Sequence, residues 1–288
     1  MDSNHKSQLQ SLWDRLVERE LEREKVDPRK RVHTDLLWRE IQRCIEKTNL
    51  TILDAGGGFG RFSIPLAEAG HKVVLLDISS KMLETAHEKA RSRGITAIEF
   101  IQGSVDDLSL FEDNSFDLVL CLDSPLSFCY NTYEVALSEL VRVTASKLVL
   151  CVMNRSGVIA EGGVDFDLKH FGRLKTVFEV YNTGTLLVTE ELRRLQPSLF
   201  PSWHAFRIDE IKELLKRKGC QVERISAPGT LARFVAPELL EQLFSDKEAY
   251  KSYLDFEEQY DSDIYVLGIG AAGAGGLLVT AVKETNGV

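Results

Sequence analysis

One glycine-rich turn and a few carboxylates carry the chemistry that can be read from this chain of 288 residues. The run Leu53-Asp54-Ala55-Gly56-Gly57-Gly58-Phe59-Gly60 follows a short apolar stretch and opens a helical one. Glycines in such a turn tolerate positive φ and let a ligand come close to the backbone. In an open α/β sheet that ligand sits beyond the carboxyl ends of the strands. The dinucleotide pattern G-x-G-x-x-G would need its third glycine where Arg61 stands. The glycine comes one place earlier, at Gly60, and Asp54 at the strand's end would repel a pyrophosphate. An acid there suits a ligand that brings positive charge.

Three more turns follow apolar runs in the same way. Asp77 closes the second run, where a carboxylate can accept from both hydroxyls of a ribose. An acid in that place also serves nicotinamide enzymes, so Asp77 alone does not choose a cofactor. Ile78 and Met82 come next and can pack on a flat base. The third turn is Gln102-Gly103-Ser104-Val105-Asp106-Asp107-Leu108, and the fourth is Cys121-Leu122-Asp123-Ser124-Pro125.

On these residues the chain resembles the class I S-adenosylmethionine-dependent methyltransferases. Their first motif, D-x-G-x-G-x-G, is matched position by position by Asp54, Gly56, Gly58 and Gly60. The resemblance covers Leu50 to Met153 well and reaches more loosely to Ile208–Ser226 and Leu277–Lys283. It implies S-adenosylmethionine as cofactor, held by Asp54, Gly56, Gly57, Gly58, Gly60, Asp77, Ile78, Met82 and Leu122. In the third turn the family often reads G-D-A-x-D-L; Ser104 stands where an acid is usual, so Ser104 and Val105 are expected to contribute backbone and Asp106 a side chain. The fourth turn faces the methyl group in that family. Methyl transfer is an in-line displacement that needs orientation first. A base is needed only where the nucleophile must lose a proton. Asp123 and His204 are the catalytic candidates, with Tyr130, His170 and Trp203 as acceptor-lining residues. No metal is expected.

The elements that must position these groups alternate regularly. Apolar runs at Leu50–Ala55, His71–Asp77, Ala97–Gln102, Phe116–Leu122 and Lys147–Met153 read as strands, with helices between them. Continuous apolar strands separated by helices make a parallel sheet covered on both faces. Ser79 suits an N-cap and Gly94 a stop for the helix between them. The expected fold is a Rossmann-like, doubly wound α/β sheet, mostly parallel with an antiparallel final strand. Residues 1–49 form an N-terminal helical segment, 50–154 and 205–288 the core, and 155–204 an inserted cap. Within the cap, Thr176–Tyr181 and Thr185–Glu190 read as β-like. An acidic helix is expected over Pro237–Tyr260, and the Gly268–Gly276 run reads as a turn into the last strand, Leu277–Lys283.

Composition bounds the function. A net charge of −9 disfavours nucleic acid as a partner. The basic cluster Arg23, Lys25, Arg29, Lys30, Arg31 reads as a solvated helix end, or else as the rim of a groove for a macromolecule. The five cysteines form no C-x-x-C pair and lie largely in apolar runs, against a disulfide framework or a zinc site. No apolar signal core or membrane span stands out, which predicts a cytoplasmic location. The expected activity is methyl transfer to a small molecule. The alternatives are transfer to RNA or protein, an NAD(P)-dependent oxidoreductase, and a non-catalytic S-adenosylmethionine-binding protein.

Overall fold

A computed structural model of the chain describes residues 1–268 and 276–284. Two helices come first, α1 (Ser3–Val26) and α2 (Pro28–Cys44). Asp27 separates them: it accepts from the Arg29 amide at 3.1 Å as the N-cap of α2, with Pro28 in the first helical position. The core then alternates: β1 (Thr51–Ala55), α3 (Ser63–Glu68), β2 (Lys72–Asp77), α4 (Ser80–Ser92), β3 (Ile98–Gln102), β4 (Phe116–Cys121), α5 (Pro125–Phe128), α6 (Tyr133–Val143) and β5 (Thr144–Val152). Ser79 caps α4 by accepting from the Met82 amide at 3.1 Å, and Gly94 follows its end at φ +69°.

The cap segment is α7 (Arg155–Val158), a short π-turn at Ile159–Gly163, α8 (Val164–Phe171), α9 (Thr176–Thr183), β6 (Thr185–Leu186), α10 (Glu190–Leu195) and β7 (Trp203–His204). The chain closes with α11 (Ile208–Arg217), β8 (Cys220–Ser226), α12 (Pro237–Leu243), α13 (Lys247–Asp261), α14 (Ile264–Leu267) and β9 (Leu277–Lys283).

The main sheet has seven strands in the order β3-β2-β1-β4-β5-β9-β8. The first five run parallel, and β9 is antiparallel to both neighbours. The order reverses between β1 and β4, the place where an open sheet leaves a crevice. One face packs on α5, α6 and α11 through residues such as Leu126, Leu140 and Leu214. The other packs on α2 and α3 through Leu37, Ile41 and Leu66. Glu40 of α2 is buried and accepts from Thr280 of β9, which ties that helix to the sheet.

Two sequence expectations change. Thr176–Thr183 is helical, because the buried Asp167 accepts from the Lys175 and Val177 amides (2.6 and 2.9 Å) and caps the first turn from outside. That cap and Gly184 behind it override the β preference of threonine and valine. Only Thr185–Leu186 is strand, paired with Trp203–His204. The acidic helix is broken in two by Asp246, which accepts from Glu248 and Ala249 at 3.0 Å each. The glycine run between Gly268 and Gly276 lies largely outside the described residues. Among the described residues, no helix is long and apolar enough to cross a membrane.

Candidate active site

The glycine turn owes its shape to backbone conditions that other residues would break. Gly56 sits at φ +82°, and a Cβ there would lie 2.4 Å from Cγ of Pro125. Gly60 sits at φ +79°, with Ile64 of α3 3.1 Å from where its Cβ would be. The Gly56 amide donates to the Leu76 carbonyl at 2.7 Å, so the turn folds against the end of β2. Asp54 is buried beneath it and accepts from the Ser63 hydroxyl at 2.6 Å. Burial raises its pKa to about 6, the Ser63 hydrogen bond opposing.

Asp77 lies beside this turn. Its carboxylate accepts from the Gly58 amide at 2.9 Å and the Ser79 amide at 2.8 Å, which aims it across the crevice. Burial raises its pKa to about 6 against the pull of those two amides. A carboxylate has about four lone-pair sites, so two remain for a ligand's hydroxyl pair.

A cavity of about 290 Å³ opens over these groups. Asp54, Gly56, Gly57, Gly58, Asp77, Ile78, Met82, Ser104, Val105 and Leu122 all line it, ten of the twelve cofactor residues expected from sequence. Gly60 lies behind the turn instead, and Asp106 stands one layer back. Asp106 accepts from the Ser104 hydroxyl at 2.6 Å and pairs with Lys6 of α1 at 2.9 Å. Burial would raise its pKa, but the chain's amino terminus, Ser104 and Lys6 bring it down to about 2. It therefore positions Ser104 and α1.

The family comparison meets this geometry at the same residues: a family model described as a methyltransferase domain matches residues 52–147. Residues 52–147 carry a methyltransferase domain, on a sheet of the Rossmann-like methyltransferase fold. The match spans β1 to β5 and every turn just described. Curated relatives include the tRNA 5-carboxymethoxyuridine methyltransferase of Escherichia coli K12, 34% identical over 89 residues, 30% of this chain and 34% of that protein. The demethylmenaquinone methyltransferase of Renibacterium salmoninarum is 36% identical over 154 residues, 52% of this chain and 55% of the relative. The chain thus spans about a third of one and about half of the other. Among solved structures, an S-adenosylmethionine-dependent methyltransferase from Mesorhizobium loti has the same fold, with a TM-score of 0.52 at 19% identity, covering 86% of this chain and 98% of that one.

The residues of this methyltransferase domain fit its cofactor. The buried Asp77 carboxylate has lone pairs left for ribose hydroxyls, the Gly56–Gly58 backbone leaves open space, and Ile78 and Met82 offer apolar faces beside Asp77. Acidic Asp54 below the turn matches a sulfonium and an ammonium.

The other wall is made by elements far away in sequence. Asp123, after β4, has φ +59°, a left-handed backbone unusual for any residue but glycine, asparagine or aspartate. Three cationic or imidazole groups converge on its carboxylate: Arg23 of α1 at 2.9 Å, Arg61 at 2.8 Å and His33 of α2 at 3.1 Å. Burial would raise the Asp123 pKa, but Arg23, the His33 hydrogen bond and Arg61 hold it well below the usual carboxylate range. So strongly held an anion is a poor proton acceptor near neutrality. Asp123 borders the cavity as an orienting group.

Arg23 and Lys30 also line the cavity. This corrects the reading of the basic cluster as a solvated helix end: Arg23 near the end of α1 and Lys30 in the first turn of α2 border the cavity, while Lys25 stays exposed beside Glu22 at 2.9 Å. Trp13 of α1, Phe128 of α5 and Phe200 of the cap also line the cavity.

The remaining sequence candidates lie elsewhere. His204 is buried at 1% exposure, with Nδ1 2.9 Å from the Thr185 hydroxyl, Nε2–H donating to Glu210 at 2.9 Å, and its ring stacked on Tyr133 at 4.1 Å. It joins the cap to α11 and does not line the cavity. Trp203 pairs with Leu186 in the small sheet, Tyr130 packs on His5 at 4.7 Å, and His170 packs on Phe166 at 4.7 Å; none of these lines the cavity.

Proposed function

We propose that the protein transfers the methyl group of S-adenosylmethionine to a small-molecule acceptor. The observation that carries this is the continuity of one cavity. It brings together the Asp77 and glycine-turn groups, Asp123, and an apolar wall of Trp13, Phe128 and Phe200. Residues of α1, α5 and the cap form that wall, which suits an acceptor that enters whole. Bound S-adenosylmethionine supplies a methyl on a sulfonium, open to in-line attack by the acceptor's lone pair.

The chain's own residues supply binding and orientation. Asp77 takes the ribose hydroxyls, and Ile78 and Met82 pack on the base. Ser104 and Val105 meet its polar edge. The Gly56–Gly58 backbone lies along the amino-acid portion. Asp123 fixes Arg23, Arg61 and His33 so that the far wall is rigid when the nucleophile aligns. Water is kept out by α1 and by the cap residues Val158 and Phe200.

Calorimetric titration tests the reading. S-adenosylmethionine and S-adenosylhomocysteine bind at micromolar levels and NAD does not; NAD binding in their place refutes it. An RNA acceptor is the second reading, raised by the tRNA-acting relative. It predicts tRNA binding that weakens steeply with salt. The inward direction of Arg23 and Lys30 and the net charge of −9 speak for the small acceptor instead.

A further inference from the structure

Resting on the methyltransferase reading above, we propose that the acceptor is a small aromatic acid, its ring against Trp13, Phe128 and Phe200 and its anionic group on Lys30. Two independent features of the cavity carry this.

The first is the ring wall. Trp13 meets Phe128 edge-on at 5.7 Å and 81°, Phe200 lies 6.0 Å from Trp13, and Phe128 and Phe200 are 5.6 Å apart. The three come from α1, α5 and the segment before β7, so folding alone brings them together at the cavity. They pack at tilted angles to one another and offer faces and edges to a flat ligand, the arrangement in which ring pairs attract beyond simple area burial. Met153 and Val158 extend the same surface.

The second is Lys30. It lines the cavity. Among the described residues its ammonium has no hydrogen-bond or ion-pair partner, whereas its basic neighbours do. Arg23 and Arg61 are taken up by Asp123, and Arg29 by Asp27 at 2.7 Å. Lys30 feels Asp123, Asp27 and Glu161 only at longer range, and Arg23 acts against it. A partly desolvated ammonium beside another cation is costly until an anion reaches it. Lys30 begins α2, within electrostatic reach of Glu161 of the cap and of Asp123 after β4.

A charge-assisted contact to Lys30 and a ring stacked on the wall together fix an acceptor at two points, which is what in-line attack requires. The test uses the full chain saturated with S-adenosylhomocysteine and two probe pairs: 4-hydroxybenzoate against 4-hydroxybenzamide, and 1-naphthoate against 1-naphthamide. Binding is read by calorimetry. Each acid is expected to bind roughly tenfold tighter than its amide, about 1.4 kcal/mol. Lys30→Met abolishes that preference and Lys30→Arg keeps it, while S-adenosylhomocysteine affinity stays the same in both. Trp13→Ala weakens acid and amide alike. Equal binding of acid and amide, no binding of either acid, or a preference that survives Lys30→Met overturns the proposal. So does loss of S-adenosylhomocysteine affinity in Lys30→Met, which would assign Lys30 to the cofactor. Failure of the wild-type chain to bind S-adenosylhomocysteine at all strikes the methyltransferase reading itself.

Discussion

The two halves of the cavity are built by different means. The cofactor half comes from short-range structure: three consecutive strand ends and the turns after them, each shaped by hydrogen bonds to near neighbours such as Gly58 to Asp77 and Ser79 to Asp77. The acceptor half comes from contacts between distant segments: Arg23 to Asp123, His33 to Asp123, and Trp13 to Phe128 and Phe200. On the proposed function, the glycines and carboxylates at these strand ends hold the cofactor. Helices and inserts laid across the crevice decide what is brought to it. The same sheet can therefore keep one half and change the other.

If the halves differ as described, damage to the first should abolish cofactor binding and damage to the second should spare it. The largest effect is expected for Gly56→Ala, where positive φ and the clash with Pro125 combine. Affinity for S-adenosylhomocysteine should drop roughly 100-fold by calorimetry, as about 3 kcal/mol of strain implies. Gly70→Ala is the control, since it has positive φ too but open space around it. Asp77→Asn should cost roughly tenfold in the same titration. It should also remove a pH dependence. Burial puts the Asp77 pKa at about 6, so the carboxylate gains a proton and affinity falls as pH drops through 6. Any acid limb that persists in the variant belongs to Asp54, whose pKa is also about 6.

Asp123→Asn attacks the second half. It leaves Arg23 and Arg61 facing each other without their shared anion, so turnover should fall roughly tenfold while cofactor affinity changes less than threefold, by steady-state kinetics set beside titration. Equal loss of both would move Asp123 into the cofactor half. The smallest effect on chemistry belongs to His204→Ala. It should lower stability by about 1–3 kcal/mol in urea, because Glu210 and Thr185 lose a buried partner, and leave turnover within about twofold. A large loss of turnover with unchanged stability would restore His204 as a catalytic group.

Legibility from sequence follows the same division. The strands and the turns after them could be read because each depends on local rules: apolar runs for buried parallel strands, Ser79 as a cap, Gly94 as a stop, acids and glycines at strand ends. The antiparallel last strand came with the resembling fold, and the order of the seven strands is a finding of the structure. The acceptor side could not be read this way. His204 and Trp203 look like active-site residues in sequence, yet one braces the cap and the other pairs in a two-strand ribbon. Arg23 and Lys30 look like surface charge, yet the packing of α1 and α2 over the crevice sets both against the cavity. Nothing in residues 1–30 states where α1 will lie; that depends on Asp14 meeting Ser79, Lys6 meeting Asp106 and Arg23 meeting Asp123. Helical spacing finds a buried face but does not say against what.

The carboxylate of Asp123 joins four segments that are far apart in the chain. If α1 lifted away, Arg23 would leave and a largely buried anion would lose one of its main compensating charges. The N-terminal helices are thereby coupled to the sheet as one cooperative unit. Amide protons in the middle of α1 should exchange with solvent as slowly as those of β4, as parts of one unfolding event, where a helix merely resting on the surface would exchange by fraying.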